Sequence, residues 1–192
     1  MHFLMKRFLL AAAAALLSAG LCGTVSAQRI AVSTNLPDYM MLGTLNVRGE
    51  YAIVQHWSAG TVAKYNPWTY HKGHPDKQMQ NRQLTLAESV RWWPWHTYSG
   101  WWAEAGVQYQ QYSRGGIWGR MTEEGDAYGS RFGLGYMTML HRNWNLEFGA
   151  GGWAGKARYI RYDCPYCGRK VEEGERFFVL PNDVLLSLVY IF

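Results

Sequence analysis

The sequence predicts an all-β chain: an eight-stranded antiparallel up-and-down transmembrane β-barrel behind a cleaved signal peptide. Three observations carry that expectation. The last stretch, Phe177 to Phe192, ends on an aromatic, with Val184, Leu186, Leu188, Tyr190 and Phe192 falling at period two on one face. A free apolar edge is a template for aggregation, and closing a barrel removes it. Aromatic residues make up 16 % of the chain, with 10 Trp and 13 Tyr beside 21 Gly. That mix suits strands flanked by aromatic girdles at a membrane interface, and equally a carbohydrate-binding sandwich. Short and long connections alternate, as the two rims of an outer-membrane barrel require.

Residues 1–27 read as the signal peptide. Lys6 and Arg7 precede the apolar run Phe8 to Leu17, and Val25-Ser26-Ala27 supplies the small-x-small pattern for cleavage before Gln28. The run is too short for a spanning helix, and the bulky Leu21 before Cys22 argues against a lipid anchor. Cleavage leaves residues 28–192 as one barrel domain. Loss of Lys6 and Arg7 lowers the formal charge from +5 to +3, spread without a basic block, so nucleic acid is not an expected partner. No other stretch of about 20 apolar residues follows, which excludes a helical membrane protein.

The strands follow in order. Arg29 to Asn35 alternates Ile30, Val32 and Thr34 against small residues and ends at Leu36-Pro37-Asp38. Thr44 to Gln55 sets Leu45, Val47, Tyr51 and Ile53 on one face, and Trp57 to Asn66 follows a tight turn at His56. Beyond a polar stretch, Pro67 to Gln80, the strand Asn81 to Trp93 shows Leu84, Leu86, Val90 and Trp92 on its apolar face. Glu88 falls where that pattern asks for an apolar residue. Trp101 to Tyr112, Tyr128 to Leu140 and Trp144 to Tyr162 come next, with connections expected at Ser113 to Asp126 and Asp163 to Arg176. Phe177 to Phe192 is the eighth, expected to pair with the strand beginning at Arg29.

If the apolar faces meet lipid, the opposite faces place Arg48, Glu50, Lys64, Arg91, Glu104, Arg131 and Glu147 in the lumen. An eight-stranded interior is just wide enough to be filled by side chains, so opposite charges there would pair as a desolvated plug. A soluble barrel of the lipocalin type inverts this pattern. Trp57, Trp92, Trp93, Trp95, Trp101, Trp102 and Trp144 lie near strand ends, as interfacial girdles would.

The chain resembles the outer-membrane barrels of Bacteroidota grouped as domain of unknown function 3575. The resemblance rests on Thr34-Asn35-Leu36, Leu45 to Tyr51, Trp57-Ser58, Arg142-Asn143-Trp144-Asn145-Leu146-Glu147-Phe148 and the ending Pro181 to Phe192. It implies an eight-stranded barrel, an outer-membrane address and association with fimbria-like surface assemblies, and it implies no activity. The terminal Tyr190 and Phe192 resemble the mark that barrel-assembly machinery reads. Outer-membrane lipid, that machinery and surface proteins are thus the expected partners.

Two motifs bear on chemistry. Asp163-Cys164-Pro165-Tyr166-Cys167-Gly168 resembles a glutaredoxin redox motif without its βαβ context, or one knuckle of a zinc site. His71 and His74, in another outer loop, would complete a Cys₂His₂ metal set with Cys164 and Cys167. A Cys164–Cys167 disulfide is the preferred reading for an exported chain, despite its tight ring. For an enzyme of the lipid-A-modifying kind, His56, His96 and His141 lie near Ser58, Ser99 and Ser113, but no nucleophile–base pattern stands out. No Gly-rich phosphate loop precedes a helix, so no cofactor is expected. The function expected is structural or in surface assembly, without catalysis. The alternatives are a lipid-A-modifying enzyme and a soluble periplasmic binding barrel.

Overall fold

The computed structural model describes residues 29–71, 78–116, 121–163 and 169–192, and the segment read as a signal peptide lies outside them. Its elements are β1 (Ile30–Asn35), α1 (Leu36–Met40), β2 (Leu45–Val54), β3 (Trp57–Asn66), β4 (Thr69–Tyr70), β5 (Met79–Trp92), β6 (Gly100–Gly115), β7 (Thr122–His141), β8 (Trp144–Tyr162) and β9 (Lys170–Ile191). Neighbouring strands pair antiparallel. The β1–β9 and β3–β5 pairings close the wall, which makes an eight-stranded barrel with β4 as a two-residue appendix on β5.

Register fixes the shape. Following Cα partners around the wall from Ser33 leads through Arg48, Val62, Ala87, Gln108, Gly129 and Gly155 to Phe178. On its other side Ser33 pairs with Val189, so one circuit climbs eleven positions along β9, one of them taken up by a bulge. A stagger of about ten residues over eight strands corresponds to a tilt of roughly 40°. The same stagger lifts β5–β9 well above β1–β3 on the side carrying the longer connections.

Alternation survives in the wall because each strand separates two environments. Along β5, Leu86, Glu88, Val90 and Trp92 point outward while Ala87, Ser89 and Arg91 are buried. Glu88 therefore shares the outward face of its apolar neighbours, and the departure it makes from the apolar pattern does not shift the register of this strand.

Three features differ from the sequence expectations. The connections expected at Ser113 to Asp126 and Asp163 to Arg176 are partly strand, since β6 runs to Gly115, β7 begins at Thr122 and β9 at Lys170. At these ends the residues are mostly polar or Gly on both faces, so the hydrophobic alternation that marks a strand is lost. Trp93 and Trp102 are not girdle residues; they are 0 % and 2 % exposed, inside the barrel. Finally, α1 occupies the break at Leu36-Pro37-Asp38, with Pro37 in its first turn where a missing N–H costs nothing. The helix packs against β9 and β2.

Candidate functional site

The lumen holds a continuous ion-pair network. Arg91 is its hub: Nε donates to Glu104 at 2.7 Å, and Nη1 lies 2.7 Å from Glu147 and 3.1 Å from Glu50. Arg48 joins Glu50 at 3.0 Å and Glu104 at 2.7 Å. Arg131 bridges Glu104 and Asp183, both at 2.9 Å, and Lys64 bridges Asp183 at 2.5 Å and Asp38 at 2.9 Å. All seven residues expected in the lumen charge network on sequence grounds lie in this one chain of contacts. Asp183 and Asp38 extend it and give Lys64 its partners; the four cations expected in the lumen outnumber the three acids expected there, which is the sequence's signal for a further acid such as Asp183. Asp183 also shares the inward parity of Leu185 and Ser187.

Below the network the mouth is closed by a cluster of Ala31, Trp93, Tyr98, Trp102, Met137 and Ile191, with Val189. The turn between β5 and β6 folds inward. Trp93 Nε1 donates to Ser58 Oγ at 2.8 Å, Ser58 donates to Glu50 at 2.5 Å, and the Tyr98 hydroxyl donates to Arg29 O at 2.9 Å. The Arg91 guanidinium stacks on Trp102, its central carbon 3.9 Å from the ring centroid. Gly135 makes room for that indole, since a Cβ there would lie 2.3 Å from the Trp102 ring. Within the network a cavity of about 20 Å³ is lined by Asn35, Lys64, Arg91, Arg131, Glu147 and Asp183, room for about one water.

The exterior is apolar. Trp57, Trp92, Trp101 and Trp144 ring the lower end, and Tyr109, Tyr128 and Phe177 are exposed near the upper end. Trp57 and Tyr65 are eight residues apart on β3, roughly 26 Å along a strand. With the tilt this approaches the apolar band of about 25 Å on membrane barrels. Thr61 is midway between them, and its hydroxyl donates to its cross-strand partner Glu88 at 2.8 Å.

Above the belt, β6–β9 continue as a curved sheet. Its inner face packs Tyr112, Ala127, Trp153 and Ala157 against Phe178. Glu123 accepts from Arg161 at 3.0 Å, Arg176 at 2.6 Å and Tyr112 at 3.0 Å. Burial pushes the Glu123 carboxyl upward, but the Arg161 hydrogen bond and the Arg176 charge together hold it below the usual range. Tyr112 is pushed up to about 12 by burial and by the charge of Glu123.

The remaining candidates scatter. Cys164, Cys167 and His74 lie outside the described residues, so neither the disulfide nor the metal set can be placed; His71 is described, with a φ of +55°. Among the described residues no three His, Cys, Asp or Glu side chains gather as for a metal. His56 stacks on His96 with ring centroids 6.3 Å apart, and the His56 ring bonds Trp93 O while His96 bonds Gln55. Ser58 gives its hydroxyl to Glu50 rather than to an imidazole. No helix among the described residues is long and apolar enough to cross a membrane.

A closed barrel with charges inside and apolar side chains outside defines a class: a small β-barrel of inverted polarity with a filled core. The chain belongs to the family described as Protein of unknown function (DUF3575), whose profile matches residues 13–192. No curated protein matches its sequence.

Proposed function

We propose that the chain is a small outer-membrane β-barrel with a structural or surface-assembly role and no catalytic activity. One observation carries this reading. Arg91 and Glu147 are each 1 % exposed at the side chain, while Leu134, Val184 and Phe132 are 66 %, 71 % and 52 % exposed on the outer wall. Water around such a wall would be unfavourable by about 25 cal/mol per Å² of apolar surface, and a surrounding bilayer removes that cost. A soluble binding barrel needs the opposite arrangement and an open interior. The filled lumen supports a wall-like role over a pore, and the sheet above the belt supports a role at the cell surface.

In this reading outer-membrane lipid surrounds the belt, and barrel-assembly machinery reads Tyr190 and Phe192. The sheet faces other surface proteins, fimbria-like assemblies of Bacteroidota among them on the strength of the family resemblance. Expression of the full chain followed by fractionation tests it. The expected result is recovery with outer membranes and a heat-dependent shift in gel migration. Recovery in the soluble periplasm overturns the reading, and a steady conductance in planar bilayers overturns the filled lumen.

A further inference from the structure

β1 covers β9 only as far up as the Asn35–Ser187 pair, whereas β9 itself continues to Lys170. Just above that pair the Asn35 side chain extends the ladder, donating to Val184 O at 3.2 Å and accepting from Leu186 N at 3.0 Å. Beyond it, among the described residues, no strand pairs with β9 on that side, although β8 pairs with it along its whole length on the other.

The direction of the main-chain groups along this edge follows from the hydrogen bonds below it. Phe192 N–H donates to Ile30 O on the β1 side, and Ile191 N–H donates to Asn143 O on the β8 side, both at 2.9 Å. Even-numbered residues of lower β9 thus turn toward β1. A bulge between the partners of Gly151 and Gly152, which are Asp183 and Pro181, inserts one residue and reverses that parity. Above it Glu173, Glu175, Phe177 and Val179 turn N–H and C=O to the open side, while Glu172, Gly174 and Arg176 bond β8. Pro181 is the next residue facing the open side, and it has no N–H to offer. The edge is therefore a bounded template with a defined end.

We infer that the open edge of β9 from Lys170 to Val179 is a strand-addition site for an extended segment of a partner protein, with Lys or Arg opposite Glu173 and Glu175 and apolar residues opposite Phe177 and Val179. The chemistry of the strand already paired there sets the charge. β8 meets Glu175 with Arg158 at 2.6 Å and Glu172 with Arg161 at 2.8 Å. The side chains of Glu173 and Glu175 are each 58 % exposed, so a second basic strand can share them. Phe177 and Val179, 70 % and 65 % exposed, supply apolar contact at the lower end. Main-chain bonds give such an interface affinity and alternate side chains give it specificity. A second copy in the same membrane fits poorly, because its β9 descends in the same direction and sets Glu173 and Glu175 against like charges. The inference rests on the outer-membrane reading only for the side of the membrane from which the partner comes.

The test uses the full chain in lipid nanodiscs and a labelled twelve-residue peptide alternating Lys with Val along one half and Thr with Val along the other. A control peptide has two of its Val residues replaced by Pro. Binding of the first at least tenfold tighter than the control is expected. Amides of Glu173, Glu175, Phe177 and Val179 should exchange fast in the free protein and slow on binding. Glu175→Pro removes an open-side N–H without touching the β8 ladder and should weaken the peptide at least tenfold, while Glu175→Gln should weaken it only two- to threefold. Equal binding of both peptides, or an unaltered affinity in Glu175→Pro, overturns the inference. So does slow exchange at these amides in the peptide-free protein, whether constant or rising with protein concentration. Heat-dependent gel migration of the same samples separates failure of the barrel reading from failure of the edge.

Discussion

Arg91 Nη1 and Glu147 Oε1 stand 2.7 Å apart, on side chains 1 % exposed, reaching across the barrel from β5 and β8. Glu50 and Glu104 share the same guanidinium. Removing one member of a buried ion network leaves its partners charged and desolvated, at a cost of about 3–5 kcal/mol. Arg91→Met should therefore lower the unfolding free energy of the barrel in vesicles, measured by urea titration, by about 3–5 kcal/mol, with a lower midpoint. Arg91→Met combined with Glu147→Leu should recover part of the loss, since the two residues are coupled. An unchanged midpoint in the single variant would mean that water reaches the network.

Glu88 supplies the opposite case, a carboxyl on the apolar side of the wall. It stands at the middle of the belt with Thr61 as its hydrogen-bond partner. A charge on the lipid face costs about 2–4 kcal/mol at the midplane for Lys or Arg and less for an acid. Glu88→Leu is thus expected to stabilise the barrel in vesicles by roughly 1–2 kcal/mol. In a soluble barrel the same substitution enlarges an exposed apolar patch and lowers solubility. Unfolding in vesicles beside a solubility assay without detergent distinguishes the two.

The wall was legible in the sequence wherever a strand separates an apolar exterior from a polar lumen. Arg48 and Glu50 face inward between Val47 and Tyr51, and each change of side is written as a change of polarity. The signal fails where that contrast fails. Thr122 to Asp126 and Lys170 to Arg176 are mostly polar or Gly on both faces, so their pairing is set by contacts such as Tyr112–Glu123 and Arg161–Glu172, which have no period. Trp93 and Trp102 resembled girdle residues because composition says where aromatics are frequent, not which way they turn. Asp38 reaches Lys64 only because α1 folds back over the lumen, a tertiary fact with no local mark.

The upper sheet should respond to acid. Glu123 is held below the usual carboxyl range by Arg161 and Arg176, so its folded pKa lies under its unfolded one, about 4.3. The stability it contributes is then fully present above about pH 4.3 and is lost as pH falls through the depressed folded value. Amide exchange at Thr122 to Gly125, corrected for intrinsic rates, should accelerate as the pH falls below about 4.3 while the apolar belt stays protected. Glu123→Gln should be faster at neutral pH and lack that acid step. An acid step that survives in Glu123→Gln would assign it to another carboxyl, Glu172 being the nearest candidate through Arg161.

Phe192 closes the seam between the first and last strands, and its contacts separate assembly from stability. Its N–H donates to Ile30 O at 2.9 Å, and its ring meets Tyr190 edge-on at 4.8 Å, which in turn meets Trp144 at 5.0 Å. These rings lie on the outer face, away from the Arg91 network and the Trp93–Trp102 cluster. Losing one aromatic pair is worth about 0.5–1.5 kcal/mol, a small part of what holds the wall. Deletion of Phe192 should therefore lower the unfolding free energy of protein refolded into vesicles by no more than about 1.5 kcal/mol. If the terminal aromatic is read during assembly, the same deletion should lower the heat-modifiable fraction in outer membranes several-fold. A loss in cells matched by an equal loss on refolding in vitro would make Phe192 a brace of the seam and nothing more.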